Sequence, residues 1–115
     1  MVTIVNATRE SSLASNAERA TSFLARGRGL MMRKEFPDGS GMVIDPCSSI
    51  HMFFMRFPID VLYLDRDDKV VRVQEGIKPW RVGPLRTKGA KYVIELPAGT
   101  VAKSRTSAGD QIVFS

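Results

Sequence analysis

The chain has 115 residues, 43% hydrophobic and 25% charged, with 17 Lys and Arg against 12 Asp and Glu for a net charge of +5, which bounds it to one ordinary globular domain over residues 1 to 115. No apolar stretch is long enough for a membrane helix, and the polar start lacks the apolar centre of a signal peptide, so a cytoplasmic protein with no membrane partner is expected. One cysteine, Cys47, excludes an internal disulfide framework and agrees with a reducing compartment.

Residues 2 to 6, VTIVN, have the β-branched content of a short first strand. A polar turn then leads to a short segment around Leu13. Ser15-Asn16-Ala17-Glu18 has the S-x-x-E form of a capping box, in which the hydroxyl and the carboxylate satisfy the first free amides of a helix. An N-terminal α-helix is therefore predicted from there to residue 25 or 26. Ala17, Ala20, Phe23 and Leu24 would line its buried face and Glu18, Arg19 and Ser22 its wet one, with Gly27 and Gly29 stopping it. A helical turn is predicted again over residues 30 to 34. The glycines around Arg28 follow a predicted helix rather than a strand and match neither phosphate-binding pattern.

A turn at 37 to 41 precedes a short strand over 42 to 44. Residues 51 to 65, HMFFMRFPIDVLYLD, then set Arg56 and Asp60 inside an otherwise apolar run. Pro58 lacks an amide hydrogen and disfavours helix for the residue before it, so two strands are predicted, over 51 to 56 and 59 to 64. In the second, Ile59, Val61 and Tyr63 share one face and Asp60, Leu62 and Leu64 the other. Both faces are mostly apolar, as in a central strand covered on both sides. The polar turn at 65 to 68 leads to a strand over 69 to 75, with Val71 and Val73 alternating with Arg72 and Gln74. Residues 76 to 86 read as an extended connection anchored in the core by Trp80. A strand over 92 to 96 places Tyr92, Ile94 and Leu96 on one face and Val93 and Glu95 on the other. A turn at 97 to 100, one helical turn within 101 to 108 and a last strand over 111 to 114 complete the chain.

Asp60 opens a buried strand, where an ionised carboxylate must find donors, and Arg56 is the nearest cation in sequence. This pair, supported by Met55, Arg33 and Glu95, can orient a polar ligand or supply a general base. It can equally be a structural ion pair that locks the loop around Pro58 to the strand. Cys47 and His51 stand four apart with no third orienting residue, so no catalytic pair is expected of them. With one Cys and one His, no metal or cofactor site is expected. Asp65, Asp67 and Asp68 lack the glycine and closing glutamate of a calcium loop and read as turn residues. The basic residues are dispersed without a run, as on a solvated face, so nucleic acid is a partner that net charge alone permits.

Several stretches together carry a resemblance: Gly29-Leu30-Met31, Gly41-Met42, Phe54-Met55-Arg56 with Pro58-Ile59-Asp60, Glu95-Leu96-Pro97-Ala98-Gly99-Thr100, and Gly109-Asp110. In these the chain resembles, over about residues 2 to 115, the bacterial and archaeal family called domain of unknown function 192. The resemblance implies a mainly β domain, a small sandwich or distorted barrel of jelly-roll type with one N-terminal helix, and it brings no activity. The function expected is that of a non-enzymatic binding or interaction module. Its polar site near Arg56 and Asp60 would take a small polar ligand or a segment of a partner protein. The alternatives are a small hydrolase-like or lyase-like enzyme using Asp60 as general base and Arg56 to stabilise an anion, and a basic nucleic-acid binder.

Overall fold

The computed structural model describes residues 2–20, 34–48, 55–81 and 87–115. Among them are seven strands and one short helix: β1 (Val2–Asn6), β2 (Ser11–Ala20), β3 (Ser40–Ile44), β4 (Ile59–Leu64), β5 (Val70–Ile77), β6 (Tyr92–Pro97), α1 (Thr100–Ser104) and β7 (Ile112–Phe114). The strands form one sheet in the order β5-β4-β6-β3-β2-β1-β7. Every pairing is antiparallel except that of β2 with β3. The chain is thus mainly β, but its architecture is one curled half-barrel sheet rather than a two-sheet sandwich. Its outermost strands meet at one corner, where Val70 N–H donates to Asp110 C=O at 2.9 Å, Gly109 N–H to Val70 C=O at 2.7 Å and Ile112 N–H to Asp68 C=O at 2.9 Å.

β4 sits between β5 and β6, and all six of its residues are buried, as its doubly apolar pattern predicted. Each of its large apolar side chains contributes about 1.5 to 3 kcal/mol by leaving water. The two faces of the sheet feed separate clusters. Leu62, Leu64, Ile94 and Leu96 join Ile4, Leu13, Val43, Val101 and Ile112 in the first, which draws on strands from both ends of the sheet. Ile59, Val61, Tyr63 and Val93 join Met42, Ile44 and Met55 in the second.

The expected N-terminal helix is not there. Ser15, Asn16, Ala17 and Glu18 lie in β2, and the helix among the described residues is α1, in the C-terminal half. The cause is a pair of bulges. Val2 pairs with Ala17, Ile4 with Ala14 and Val5 with Ser12, so twice β2 advances one residue more than β1. Each bulge stretches the burial spacing of a strand from two to three. Across the bulges Leu13, Ala14 and Ala17 are buried in the first cluster, and beyond them Ala20 is buried on the opposite face in the second, so the buried positions of an irregular strand fall at a helix-like spacing. The remainder of that helix, residues 30 to 33 of the helical turn predicted over 30 to 34, and residues 51 to 54 lie outside the described residues; Lys34 is not helical. Met55 and Arg56, which close the strand expected over 51 to 56, are not in strand.

Small residues let β2 and β3 come close together. A Cβ added at Gly41 would lie 3.2 Å from the Cβ atoms of both Ala14 and Ala17. Those atoms are fixed to the backbone and cannot rotate away. Gly41→Ala is therefore expected to destabilise the fold by about 1 to 2 kcal/mol, measured by urea unfolding, despite the gain a strand normally draws from losing a glycine.

Two smaller expectations are corrected. Val71 and Val73 do not share a face: Tyr63 pairs with Arg72 and Leu64 with Val70, so a bulge at Val71 turns it to the second cluster while Val73 packs against the first. Trp80 is not a core anchor, because it is 58% exposed. It occupies a turn in which Arg81 N–H donates to Lys78 C=O at 3.3 Å, and its φ is +67°. A type II turn asks for that angle at its third residue, normally of Gly or Asn, and a bulky side chain there costs on the order of 1 kcal/mol.

Candidate functional site

The polar residues singled out in the sequence divide between the two faces of the sheet. Asp60 pairs with Leu96 and Val61 with Glu95, so alternation sends Asp60 and Glu95 to opposite sides. On the first side, Asp60 is 1% exposed. Its Oδ1 accepts Gly76 N–H at 2.8 Å, and its Oδ2 accepts Gly99 N–H at 3.1 Å and Val101 N–H at 2.9 Å. Gly99 is the N-cap of α1 and has no side chain to cap with. Asp60 supplies the missing cap from a strand almost forty residues earlier, where a carboxylate also suits the positive end of the helix. Gly99 is required because its φ is +97°, which aims its amide at the carboxylate.

Arg56 is exposed, and among the described residues no ion pair joins it to Asp60. The electrostatic need of the buried carboxylate is met by backbone amides instead. Arg33 and His51 lie outside the described residues, so the structure does not place Arg33 beside this group or His51 beside Cys47.

Met55 and Glu95 belong to the second side. Met55 is buried in the second cluster, and Glu95, 5% exposed, projects from β6 between its register partners Met42 and Val61. Around it the sheet presents Tyr63, and the loops add the half-buried Phe36, Cys47 and Phe57. Phe36 and Phe57 stack with ring centres 5.8 Å apart. Tyr63 donates its hydroxyl to Gln74 Oε1 at 2.6 Å. Burial pushes the Tyr63 phenol well above its ordinary range; the charge of Arg72 opposes this, and those of Cys47 and Glu95 add to it. Tyr63 is thus a neutral hydrogen-bond donor at any physiological pH, within electrostatic range of Glu95, Cys47 and Arg72.

The second face therefore combines a buried carboxylate, a fixed phenol and an apolar, aromatic surround. That is the composition of a ligand site, in which a few placed polar groups orient what apolar contact holds. Sequence reasoning named Met55 and Glu95 but missed Tyr63, Gln74 and the phenylalanine pair. Tyr63 was within reach, since it shares a face with Val61, the cross-strand neighbour of Glu95. Phe36 and Phe57 come from two loops, and no local pattern links them.

Elsewhere the polar groups hold turns. Asp65 Oδ1 accepts Asp67 N–H at 2.9 Å and Lys69 N–H at 3.0 Å, and Asp68 Oδ1 accepts the Tyr92 hydroxyl at 2.6 Å. An open hollow of about 530 Å³ lies between Asp65, Arg66, Asp67, Gly89 and Lys91, and Lys91 faces Asp45 at 3.7 Å. Among the described residues no three His, Cys, Asp or Glu side chains converge as metal ligands. Nor is any helix there long and apolar enough to cross a membrane.

Residues 4–114 match the model of domain of unknown function 192, described as "Uncharacterized ACR". A UPF0127 protein of Pyrococcus horikoshii is 37% identical over 114 residues, covering 95% of this chain and 96% of the relative. One from Thermococcus kodakarensis is 35% identical over 116 residues, covering 97% of this chain and 73% of the relative. A solved structure, a protein of unknown function from Novosphingobium aromaticivorans, superposes with a TM-score of 0.84 at 25% identity, covering 97% of this chain and 82% of that one.

Proposed function

Because the chain belongs to the family of domain of unknown function 192, a membership that carries a fold and no activity, we propose that it is a single-domain binding module with its ligand site on the second face of the sheet. Met55 and Glu95 contact the ligand, Arg56 meets its exposed end, and Asp60 acts from behind the sheet as a positioning residue. The observation that carries this reading is the face of the sheet on which each buried carboxylate lies. Asp60 and Asp110 lie on or beside the first cluster, whereas Glu95 stands on the second face among Met42, Met55, Val61 and Tyr63, whose phenol is a fixed donor within its electrostatic range. The ligand that suits it is a small polar molecule whose hydrogen-bond donor meets the carboxylate and whose apolar part packs on the methionines and the phenylalanine pair. A non-enzymatic role suits Asp60 better than base catalysis, since three backbone amides already use its carboxylate.

A thermal-shift screen of amines, amides, amino acids and organic acids tests this. A ligand at one hundred times its Kd adds about 2.7 kcal/mol, which for a chain of this size raises Tm by roughly 10 °C. Glu95→Gln is expected to remove that shift while the free protein still unfolds cooperatively. Asp60→Asn is expected to lower the starting Tm and keep the shift. No shift from any donor-bearing compound, or a shift that survives Glu95→Gln, rejects the site.

A further inference from the structure

We infer that the hollow beside the turn from β4 to β5 is a second ligand site, which takes a small zwitterion of amino-acid or dipeptide size, its carboxylate toward Arg66 and Lys91 and its ammonium toward Asp65 and Asp67. The hollow measures about 530 Å³ and is lined by Asp65, Arg66, Asp67, Gly89 and Lys91, a size in the ordinary range of small-molecule clefts. What marks it is that opposite charges line one space without bridging it. Among the described residues, Lys91 has its ion pair with Asp45, at 3.7 Å, and no ion pair joins Lys91 or Arg66 to Asp65 or Asp67. Opposite charges on movable walls would close such a gap.

The backbone keeps the walls apart. On one side, Asp68 N–H donates to Asp65 C=O at 3.1 Å and Asp65 N–H to Lys69 C=O at 3.0 Å, while Asp65 Oδ1 accepts the amides of Asp67 and Lys69. On the other, Ala90 N–H donates to Thr87 C=O at 3.1 Å, across a turn whose third residue, Gly89, has the positive φ, +85°, that a type II turn requires. Lys91 is held at both backbone groups: its N–H donates to Leu64 C=O at 2.7 Å and its C=O accepts Cys47 N–H at 2.8 Å. Walls fixed before a ligand arrives spare it the cost of ordering them.

The balance of charge selects the ligand. Two carboxylates and two cations line the hollow, so a simple anion meets Asp65 and Asp67 and a simple cation meets Arg66 and Lys91, each a like-charge contact. A molecule carrying both signs avoids both. Arg66 offers a planar fork to a carboxylate, and the aliphatic stems of Arg66 and Lys91 give a small apolar part a surface. None of the five lining residues belongs to the second cluster, so this site stands or falls apart from the one at Glu95.

The test is an NMR titration of the isotope-labelled protein with alanyl-alanine, read from the backbone amide shifts. Saturable shifts are expected at Arg66, Asp67, Gly89 and Lys91, with a Kd on the order of 1 mM, as exposed charge pairs allow. The N-acetylated dipeptide lacks the ammonium and the C-amidated one lacks the carboxylate; each should bind about fivefold more weakly. Asp67→Asn should weaken the free dipeptide toward the level of the acetylated one and leave the acetylated one unchanged. Arg66→Gln should do the same with respect to the amidated one. Both side chains are exposed, so each variant should keep its Tm within about 3 °C of the parent. Shifts that do not saturate, that fall elsewhere in the chain, or that are equal for the capped dipeptides overturn the assignment. So does inorganic phosphate moving the same amides more strongly than the dipeptide, which would make the hollow an anion site.

Discussion

Asp60→Ala is expected to cost about 4 kcal/mol of folding stability, a large part of the roughly 5 to 15 kcal/mol a domain of this kind has. The substitution takes the acceptor from the buried amide of Val101 and from the partly buried amides of Gly76 and Gly99, which now meet a carboxylate oxygen at 2.9, 2.8 and 3.1 Å. For a chain of this length that corresponds to a fall in Tm of roughly 15 °C. Asp60→Asn keeps one acceptor oxygen but turns an NH2 group toward a backbone donor, so about half the loss is expected. Arg56→Ala provides the contrast. Its side chain is exposed and does not reach Asp60, so urea unfolding should place it within about 0.5 kcal/mol of the parent. If Arg56→Ala were as damaging as Asp60→Ala, the carboxylate would be held by the guanidinium and not by the amides.

The second large effect lies near the C-terminal end of the chain. Asp110, 3% exposed, accepts on its Oδ2 from Asn6 Nδ2 at 2.9 Å, from Ser107 N–H at 2.9 Å and from Arg9 Nε at 3.1 Å. Asn6, fully buried, also donates to Thr106 Oγ1 at 2.9 Å and accepts Arg9 N–H at 3.0 Å. One carboxylate thus pins the end of β1, the turn after it and the exit of α1 to the start of β7. Asp110→Ala is expected to lose about 2 kcal/mol, because the buried Asn6 amide is left with Thr106 as its one acceptor and the half-buried Ser107 N–H loses its acceptor; the Arg9 pair, partly exposed, adds little.

The same group gives the stability a pH signature. Burial by itself would raise the Asp110 carboxyl. The hydrogen bonds from Asn6, Ser107 and Arg9, together with the Arg9 charge, outweigh it and hold the value below the ordinary 3.8. The unfolded chain therefore binds this proton more readily than the folded one. Its contribution is complete above about pH 4 and is lost as the pH falls further through the folded value. Urea midpoints measured across that range should show a steeper acid loss for the parent than for Asp110→Asn. Parallel curves would mean that Asp110 does not titrate differently in the two states.

What was legible in the sequence was whatever rests on local chemistry. The β-branched run of β1, the doubly apolar alternation of β4, the split of β6 into Tyr92, Ile94 and Leu96 against Val93 and Glu95, and the turns at 65 to 68 and 97 to 100 all depend on neighbours in the chain. The resemblance carried by ELPAGT and by Gly109-Asp110 likewise identified the family, because a motif survives as a string of residues. Bulges did not show. Two extra residues in β2 follow from its register against β1, and its buried positions fall at a helix-like spacing beside Ser15 and Glu18, whose residue types match a capping box. The partners of Asp60 were hidden for a related reason. Arg56 is four residues away and electrostatically apt, whereas the amides that meet the carboxylate are 16 to 41 residues away and belong to a bulged edge strand and a helix start. An amide hydrogen is common to nearly every residue, so no residue type signals that it will be the donor. Local order thus belongs to the sequence alone; which face of the sheet each buried charge lies on was decided by the parity of β4 against β6, a property of the folded sheet.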